Sequence, residues 1–372
     1  MYRLIVTGGG TGGHIYPALS VADGFARRHP GAEILYVGTR EGLEAQVVPS
    51  RGIPFQTVEV RGLVGKSPRN LIRGLSALRR GMGQARSIVR QFAPDAVVGT
   101  GGYVSGPVVW AAARLGVPAL VQEQNAVPGV TNRLLALVAD RVLVPHQRAA
   151  GRFPRRARTV VTGNPVRREI VEADRDLSRR ALGFPPQGRL VLAVGGSRGA
   201  ATLNRALLDL VRQQPERGFH LLWIAGQVHH HQIQSELQAG DLKPGGDFVT
   251  RVLPYTDQMP EALAAADLAV ARAGAMTLAE ITARGLPSIL IPFPHATHQH
   301  QEWNARVLAE AGAAVVLRDG ELTGATLWRK INGLLASPEN LEAMALQARE
   351  LGRPEALEAI LNCIDALVAL RR

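Results

Sequence analysis

The sequence predicts an α/β protein of two doubly wound domains, and three observations carry that expectation: its length, an alternation of apolar runs with helical segments, and a restart of that alternation halfway along. At 372 residues the chain is long for a single core, so two units are expected, each burying its own. Short apolar runs separated by helical stretches imply parallel strands covered by helices. The pattern runs through "RLIVTGG", "EILYVG", "DAVVGTGG", "VPALVQEQN" and "ADRVLVPH". After Gly188 it begins again, with "RLVLAVGG", "HLLWIAG", "DFVTRVLP", "ADLAVARAG" and "LPSILIPF".

Taken in order, the first strand leads into a glycine-rich loop and a helix expected over Pro17 to Arg28. Between the two runs of alternation, "VVTGNPVRREI" groups Gly163, Asn164 and Pro165 as a hinge, followed by the charged run "EADRDLSRR". This divides the chain into an N-terminal domain over 1–163 and a C-terminal domain over 164–350. The remaining 351–372 reads as a closing helix with Leu357, Ile360, Leu361, Ile364, Leu367 and Val368 on one face. That face needs a partner, and packing back on the N-terminal domain is the expectation.

With 46% hydrophobic and 20% charged residues, the composition is too apolar for disorder. The most apolar charge-free stretch, 96–113, is interrupted by "GTGG" and "SGP" and reads as strand, loop and helix rather than a membrane span. The start "MYRLIVTGGG" lacks the pattern of an export signal, so a cytoplasmic location is expected. The single cysteine, Cys363, reads as core filler.

Lys and Arg exceed Asp and Glu by 43 to 31, a net charge of +12 that favours anionic partners. The excess concentrates in Arg61 to Gln91, which holds no acid and mixes Leu71, Ile72, Leu75 and Leu78 with Arg73, Arg79 and Arg80. Two readings stand: a solvated helix face with a buried apolar side, or a segment lying on an anionic membrane surface. Aromatic residues are 5% of the chain and do not interleave with this patch, so no nucleic-acid partner is expected.

The loop "TGGGTGGHIYPAL" matches G-x-G-x-x-G at Gly8, Gly10 and Gly13. The acid that would bind a dinucleotide ribose is missing, because the second strand ends in Gly38 and Thr39. The loop continues Gly13-His14-Ile15, without the lysine of a nucleoside triphosphatase. What remains is the shared physics: glycines let backbone N–H groups approach an anion, and a helix start adds its positive dipole end. "GTGGYVSGP" (99–107), "VGGSRGA" (194–200) and "ARAGAMT" (271–277) repeat the device. Each is also a plausible tight turn, but several converging on one cleft would suit a substrate carrying a diphosphate. His14, in the first helix turn, is disfavoured as a cation and is available as a general base or as a satisfied structural histidine. Glu280, one turn into a helix, is placed to accept hydrogen bonds from a ribose diol or is an ordinary solvated glutamate.

Asp174-Arg175-Asp176 spells D-x-D without a preceding strand, and the histidines at 229–231 and at 295, 298 and 300 lack matched ligand spacing. No metal and no cofactor are expected.

The segments "GGGTGGHIYPA", "GGYVSGP", "EQNAVPG", "GNPVR", "GGSRGAATLN", "RAGAMTLAEI", "ARGLP" and "HQEWNA", in that order, resemble the MurG glycosyltransferases of peptidoglycan synthesis. The resemblance implies a GT-B fold, two Rossmann-like domains facing across a cleft. It implies inverting transfer of N-acetylglucosamine from UDP-GlcNAc to the C4 hydroxyl of an undecaprenyl-diphosphate-linked muramyl-pentapeptide, by a peripheral enzyme on the cytoplasmic face of the membrane. By the same resemblance Ser197 would bind a phosphate and Arg167 would lie near the diphosphate. Ala275, Met276, Thr277, Leu278, Ala279 and Glu280 would cradle diphosphate and ribose, Thr256 would approach the uracil, and Gln301 would hold sugar hydroxyls. Thr11, Gly12, Gly13 and Asn125 would complete the cleft, with His14, Glu123 and Asn204 as catalytic candidates and Glu123 the rival to His14 as base. Gly101, Gly102, Tyr103 and Ser105 would suit the acceptor's diphosphate. The chain departs from the family at Gln122, where histidine is frequent, and at Arg198, where glutamine is. A UDP-GlcNAc 2-epimerase, another nucleotide-sugar enzyme of this fold, and a non-catalytic nucleotide-sugar-binding protein are the alternatives.

Overall fold

The computed structural model describes residues 2–60, 68–196, 200–214, 217–239 and 248–371. It divides into two units, one of Met1–Pro165 with Glu355–Arg372 and one of Val166–Pro354.

The first unit carries seven strands: β1 (Arg3–Thr7), β2 (Glu33–Gly38), β3 (Phe55–Thr57), β4 (Ala96–Gly99), β5 (Ala119–Gln122), β6 (Arg141–Val144) and β7 (Thr159–Val161). They lie in the order β3-β2-β1-β4-β5-β6-β7, every pairing parallel. Strands covered on both faces must be apolar throughout, and Leu4, Ile5, Val6, Val97, Val98, Leu120 and Val121 are fully buried. Because the chain winds outward from β1 and then returns to β4 on its other side, the sheet reverses direction between these two strands, where ligands of such sheets bind.

In the second unit the same logic produces β8 (Arg189–Val194), β9 (Phe219–Ile224), β10 (Thr250–Leu253), β11 (Leu268–Ala271), β12 (Ser288–Leu290) and β13 (Ala314–Val316). Their order is β10-β9-β8-β11-β12-β13, again all parallel. The reversal falls between β8 and β11. The glycine loops at 99–107, 194–200 and 271–277, with the first at 7–13, therefore follow the four strands that flank the two reversals.

The chain's last helix, Ala356–Ala369, returns to the first unit. Its Leu357, Ile360, Leu361, Ile364, Leu367 and Val368 are all buried, in one cluster with Leu4, Ile15, Leu19 and Phe25. Gly24 allows this contact, since a Cβ there would meet Leu357 at 3.0 Å. At the rim Asp365 accepts from Arg28 at 3.0 Å and pairs with His29 at 2.8 Å. Cys363 sits half-buried against this cluster, and burial raises its thiol pKa.

The first helix differs from its expected extent: it runs Gly12–Arg28, five residues earlier than Pro17. A proline this near the start forfeits only the bond to the Gly13 carbonyl, a small loss compared with one in a helix centre. The basic stretch from Arg61 to Gln91 lies outside the described residues over 61–67; beyond it a helix spans Pro68–Phe92. Asp174, of the D-x-D sequence, caps the helix Arg175–Ala181 by accepting from the Leu177 N–H at 2.8 Å.

Candidate functional site

At the reversal in the first unit, the loop after β1 and the loop after β4 pack on each other, and this explains most of the glycines. A Cβ on Gly8 would fall 2.1 Å from Thr100 Oγ1, one on Gly9 would strike the Glu44 carboxylate at 2.4 Å, and one on Gly102 would meet the Gly9 carbonyl at 2.4 Å. Gly101 and Gly102 also hold φ of +112° and +79°, values that side chains oppose. Gly10 is different: at φ +86° a Cβ there would meet nothing within 4 Å, so its role is the turn itself.

The helix Gly12–Arg28 then begins without a cap. Thr11 occupies the N-cap position without a capping side-chain hydrogen bond, and the first turn holds no acid. Most helix starts satisfy their free N–H groups with a Ser, Thr, Asp or Asn oxygen; one that does not keeps those donors and its dipole for an anion. His14, in this turn, places its Nδ1 3.0 Å from the Thr100 carbonyl and 3.0 Å from Gln124 Oε1. A carbonyl can only accept, so Nδ1 bears a proton, and in the neutral ring it is Nε2 that keeps the lone pair.

Two buried carboxylates brace these loops. Glu44 accepts from Gly10 N at 3.1 Å and from the Thr39 N–H and hydroxyl at 3.1 and 2.6 Å. Above it Tyr36 donates to the Gly8 carbonyl at 2.7 Å, its phenol pKa raised by burial and then by Glu44. Glu123, 1% exposed, accepts from five donors: the N–H groups of Gln124, Asn125 and Gly129 and the side-chain amides of Asn125 and Asn132, at 2.8–3.1 Å. Buried and saturated, it has no lone pair free for a substrate proton. The expectation of Glu123 as a rival base is therefore corrected: it holds the 123–132 loop in shape.

Two further residues are corrected in the same way. Ser105 is fully buried and donates to the Gly102 carbonyl at 2.9 Å, closing the turn rather than facing a ligand, whereas Tyr103 beside it is 60% exposed. Asn204, 4% exposed, donates to the Ala225 carbonyl and accepts from Trp223 Nε1, both at 2.9 Å. It ties the helix Ala201–Gln213 to β9 from inside the core, with both ends of its amide engaged.

In the second unit the device recurs. The helix Ala275–Ala283 follows Gly274, which offers no side-chain cap, and has no acid in its first turn; the helix Ala201–Gln213 likewise starts after Ala200 with no capping side chain and no acid. The loop residue Ser197 lies outside the described residues. Ala275, Met276, Thr277, Leu278, Ala279 and Glu280 make up the first two turns of the Ala275–Ala283 helix, with Leu278 turned into the core. Glu280, partly buried, is pushed up to about 7 by desolvation, against the opposing pull of Arg167. Arg167 precedes the short helix Arg168–Glu172, which Arg284 holds by donating to the carbonyls of Ile170 and Val171 at 3.3 and 2.8 Å.

Gln301 accepts from the Phe293 N–H at 2.9 Å, and the segment between them carries two non-glycine residues in the left-handed region, His298 and Gln299, at φ 52° and 53°. Arg272, at the end of β11, fastens this segment: it donates to the Ile291 and Pro292 carbonyls and to Thr202 Oγ1, and pairs with Asp319 at 2.5 Å. Thr256, after β10, accepts from the Gln258 N–H at 3.0 Å.

The structure thus gathers Thr11, Gly12, Gly13, His14, Gly101, Gly102, Glu123 and Asn125 at one reversal and Arg167 with Ala275–Glu280 at the other. Sequence reasoning missed Glu44, Thr100, Gln124 and Asn132. Each is a polar residue beside an apolar run or helix start; the one signal was its unusual place among buried neighbours.

Two doubly wound units, each with uncapped, acid-free helix starts beside its sheet reversal, form the architecture found in two-domain nucleotide-sugar enzymes. Residues 4–144 match the model of the glycosyltransferase family 28 N-terminal domain and residues 190–360 that of the family 28 C-terminal domain; the chain belongs to glycosyltransferase family 28. It is 50% identical over 365 residues, 97% of this chain and 98% of the relative, to a UDP-N-acetylglucosamine--N-acetylmuramyl-(pentapeptide) pyrophosphoryl-undecaprenol N-acetylglucosamine transferase of Moorella thermoacetica. An enzyme of the same name from Symbiobacterium thermophilum is 46% identical, covering 100% of this chain and 97% of the relative. Among solved structures, MurG of Acinetobacter baumannii aligns with a TM-score of 0.79 at 30% identity, covering 98% of this chain and 100% of that one. A Listeria monocytogenes protein named for its resemblance to UDP-N-acetylglucosamine 2-epimerases, at 16% identity and a TM-score of 0.66 over 98% of this chain and 96% of that one, shares the fold.

Proposed function

We propose that this chain transfers N-acetylglucosamine from UDP-GlcNAc to the C4 hydroxyl of an undecaprenyl-diphosphate-linked muramyl-pentapeptide, with inversion at the anomeric carbon. The observation that carries this reading is the end-to-end likeness to relatives named for that transfer, joined to uncapped helix starts at both reversals. In the reaction, His14 Nε2 takes the proton of the C4 hydroxyl as its oxygen bonds to the anomeric carbon. The bond from that carbon to the diphosphate breaks, and its electron pair leaves on UDP. Arg167 and the N–H groups at the start of Ala275–Ala283 stabilise the departing charge, Glu280 accepts from the ribose hydroxyls, Thr256 approaches the uracil and Gln301 holds the sugar. Thr11, Gly12, Gly13 and Asn125 complete the substrate site, the turn at Gly101, Gly102 and Tyr103 serves the acceptor's diphosphate, and Ser197 binds a donor phosphate.

The acceptor is a lipid, and the reading includes peripheral attachment to the cytoplasmic membrane face. Val130, Leu134, Leu137 and Val138 are 40–63% exposed on and just after the helix Val130–Leu135, which includes Arg133, and Arg79, Arg80, Arg86 and Arg90 are exposed on the helix Pro68–Phe92. Apolar side chains flanked by arginines suit an anionic bilayer. No helix among the described residues is long and apolar enough to cross a membrane.

The test is UDP release from UDP-GlcNAc with and without a lipid-diphosphate muramyl acceptor. Release only with acceptor is expected. Formation of the C2-epimeric UDP-sugar from UDP-GlcNAc alone would point to epimerase chemistry, and UDP binding with neither UDP release nor epimer in either case to a sensor.

A further inference from the structure

Beside His14 lies a chain of buried carboxamides that the reaction as described does not use. Gln122 and Gln124 are 0% and 3% exposed, and Asn164 is 6% exposed. Gln124 Nε2 donates to the Thr100 carbonyl at 2.8 Å, to the Gln122 carbonyl at 2.9 Å and to Gln122 Oε1. Gln122 Nε2 donates to Asn164 Oδ1 at 2.9 Å, and Asn164 Nδ2 donates to the Gln124 carbonyl at 3.0 Å.

Amide ends look alike in outline, so an orientation must be argued from partners that have one role. Here the backbone supplies them. The carbonyls of Thr100 and Gln122 only accept, so the end of Gln124 that faces them is its NH₂ and the end facing His14 is its oxygen. The carbonyl of Gln124 only accepts, so Asn164 turns its NH₂ there and its oxygen to Gln122. Every member of the chain is therefore set in one direction, and that direction ends in an acceptor 3.0 Å from His14 Nδ1.

We infer that Gln124 is a positioning residue for the transfer: with the Thr100 carbonyl it holds the proton on His14 Nδ1 and fixes the ring, so that Nε2 stands as the proton acceptor. The neutral amide does this without a negative charge that would make the imidazole more basic and keep it protonated at neutral pH. Gln122 and Asn164 act one step further out, by keeping Gln124 from rotating. This inference rests on His14 being the base.

Two measurements test it on the full-length enzyme. The first is the ¹⁵N spectrum of the His14 ring in the native protein at pH above 8. A protonated Nδ1 with an unprotonated Nε2 is expected, and the opposite tautomer overturns the inference without any variant. The second is the pH profile of kcat in Gln124→Glu, which keeps the acceptor facing His14, adds a charge and gives up the NH₂ that faces the Thr100 and Gln122 carbonyls. The acidic limb should move up by about one to two pH units, with the KM for UDP-GlcNAc within about twofold of wild type. Gln124→Leu should lower kcat by roughly 10- to 100-fold, part of the 10²–10⁴ that a positioned base contributes. An unmoved limb in Gln124→Glu, with turnover still lost in His14→Asn, overturns the positioning role alone. Normal turnover in His14→Asn would overturn the base reading instead.

Discussion

The loops at the reversal of the first unit rest on buried side chains that are fully engaged: Glu44, Glu123 and Gln124 among them accept or donate twelve hydrogen bonds to the surrounding loops and side chains. At the reversal of the second unit the helix Ala275–Ala283 starts from a bare glycine, and the Glu280 carboxyl has no hydrogen bond among the described residues. The same topology is thus finished in two ways. A satisfied polar shell holds a reacting group in one geometry before substrate arrives. A carboxyl left without donors and raised to about 7 by burial is of the kind that clusters at binding sites. The contrast fits the reading we propose, with turnover at the first site and donor affinity at the second.

The sharpest way to break this division is His14→Ala. Turnover should fall by about 10²–10⁴ while UDP affinity measured by calorimetry stays; lost UDP affinity with intact turnover would reverse the assignment. Next in size is Glu123→Gln, which replaces an acceptor of five donors by a group with one acceptor end. Stability should drop by about 3 kcal/mol, read from the urea midpoint, and an unchanged midpoint would deny Glu123 its bracing role.

In the second unit, Glu280→Gln should raise the KM for UDP-GlcNAc by about tenfold, one charge-assisted hydrogen bond's worth, and leave kcat at saturation nearly unchanged. The wild-type enzyme should bind UDP more tightly as pH rises through about 7, as the carboxylate replaces the acid; the variant should lose that slope. Stability runs the other way. The native carboxyl holds its proton more firmly than the unfolded one, so between the ordinary value of 4.5 and about 7 the native state binds more protons, and this group's contribution declines as pH rises. The smallest effect is expected where a helix start is capped: Asp174→Ala should cost about 1 kcal/mol and leave both kinetic constants alone.

Much of this was legible beforehand. Alternating apolar runs marked the strands, because strands buried on both faces must be apolar throughout. The glycine loops were visible too, but not their division of labour, since Gly8, Gly9 and Gly102 exist for loop-to-loop packing and Gly10 for a turn. Asn204 and Ser105 were misread for one reason: a polar residue next to a binding motif looks the same in sequence whether its side chain turns out to a ligand or in to a carbonyl.

By itself the sequence determined the two α/β units, the strands, the glycine turns and the family, since these depend on local periodicity and on residue types that few backbones tolerate. Which side of the molecule receives the last helix, which carboxylate is saturated and which is waiting, and which nitrogen of His14 carries the proton were decided only by tertiary structure. Each of those turns on partners remote in the chain: Thr100 lies 86 residues from His14 and Gln124 110, and a hydrogen bond has no existence until folding brings its two ends within about 3 Å.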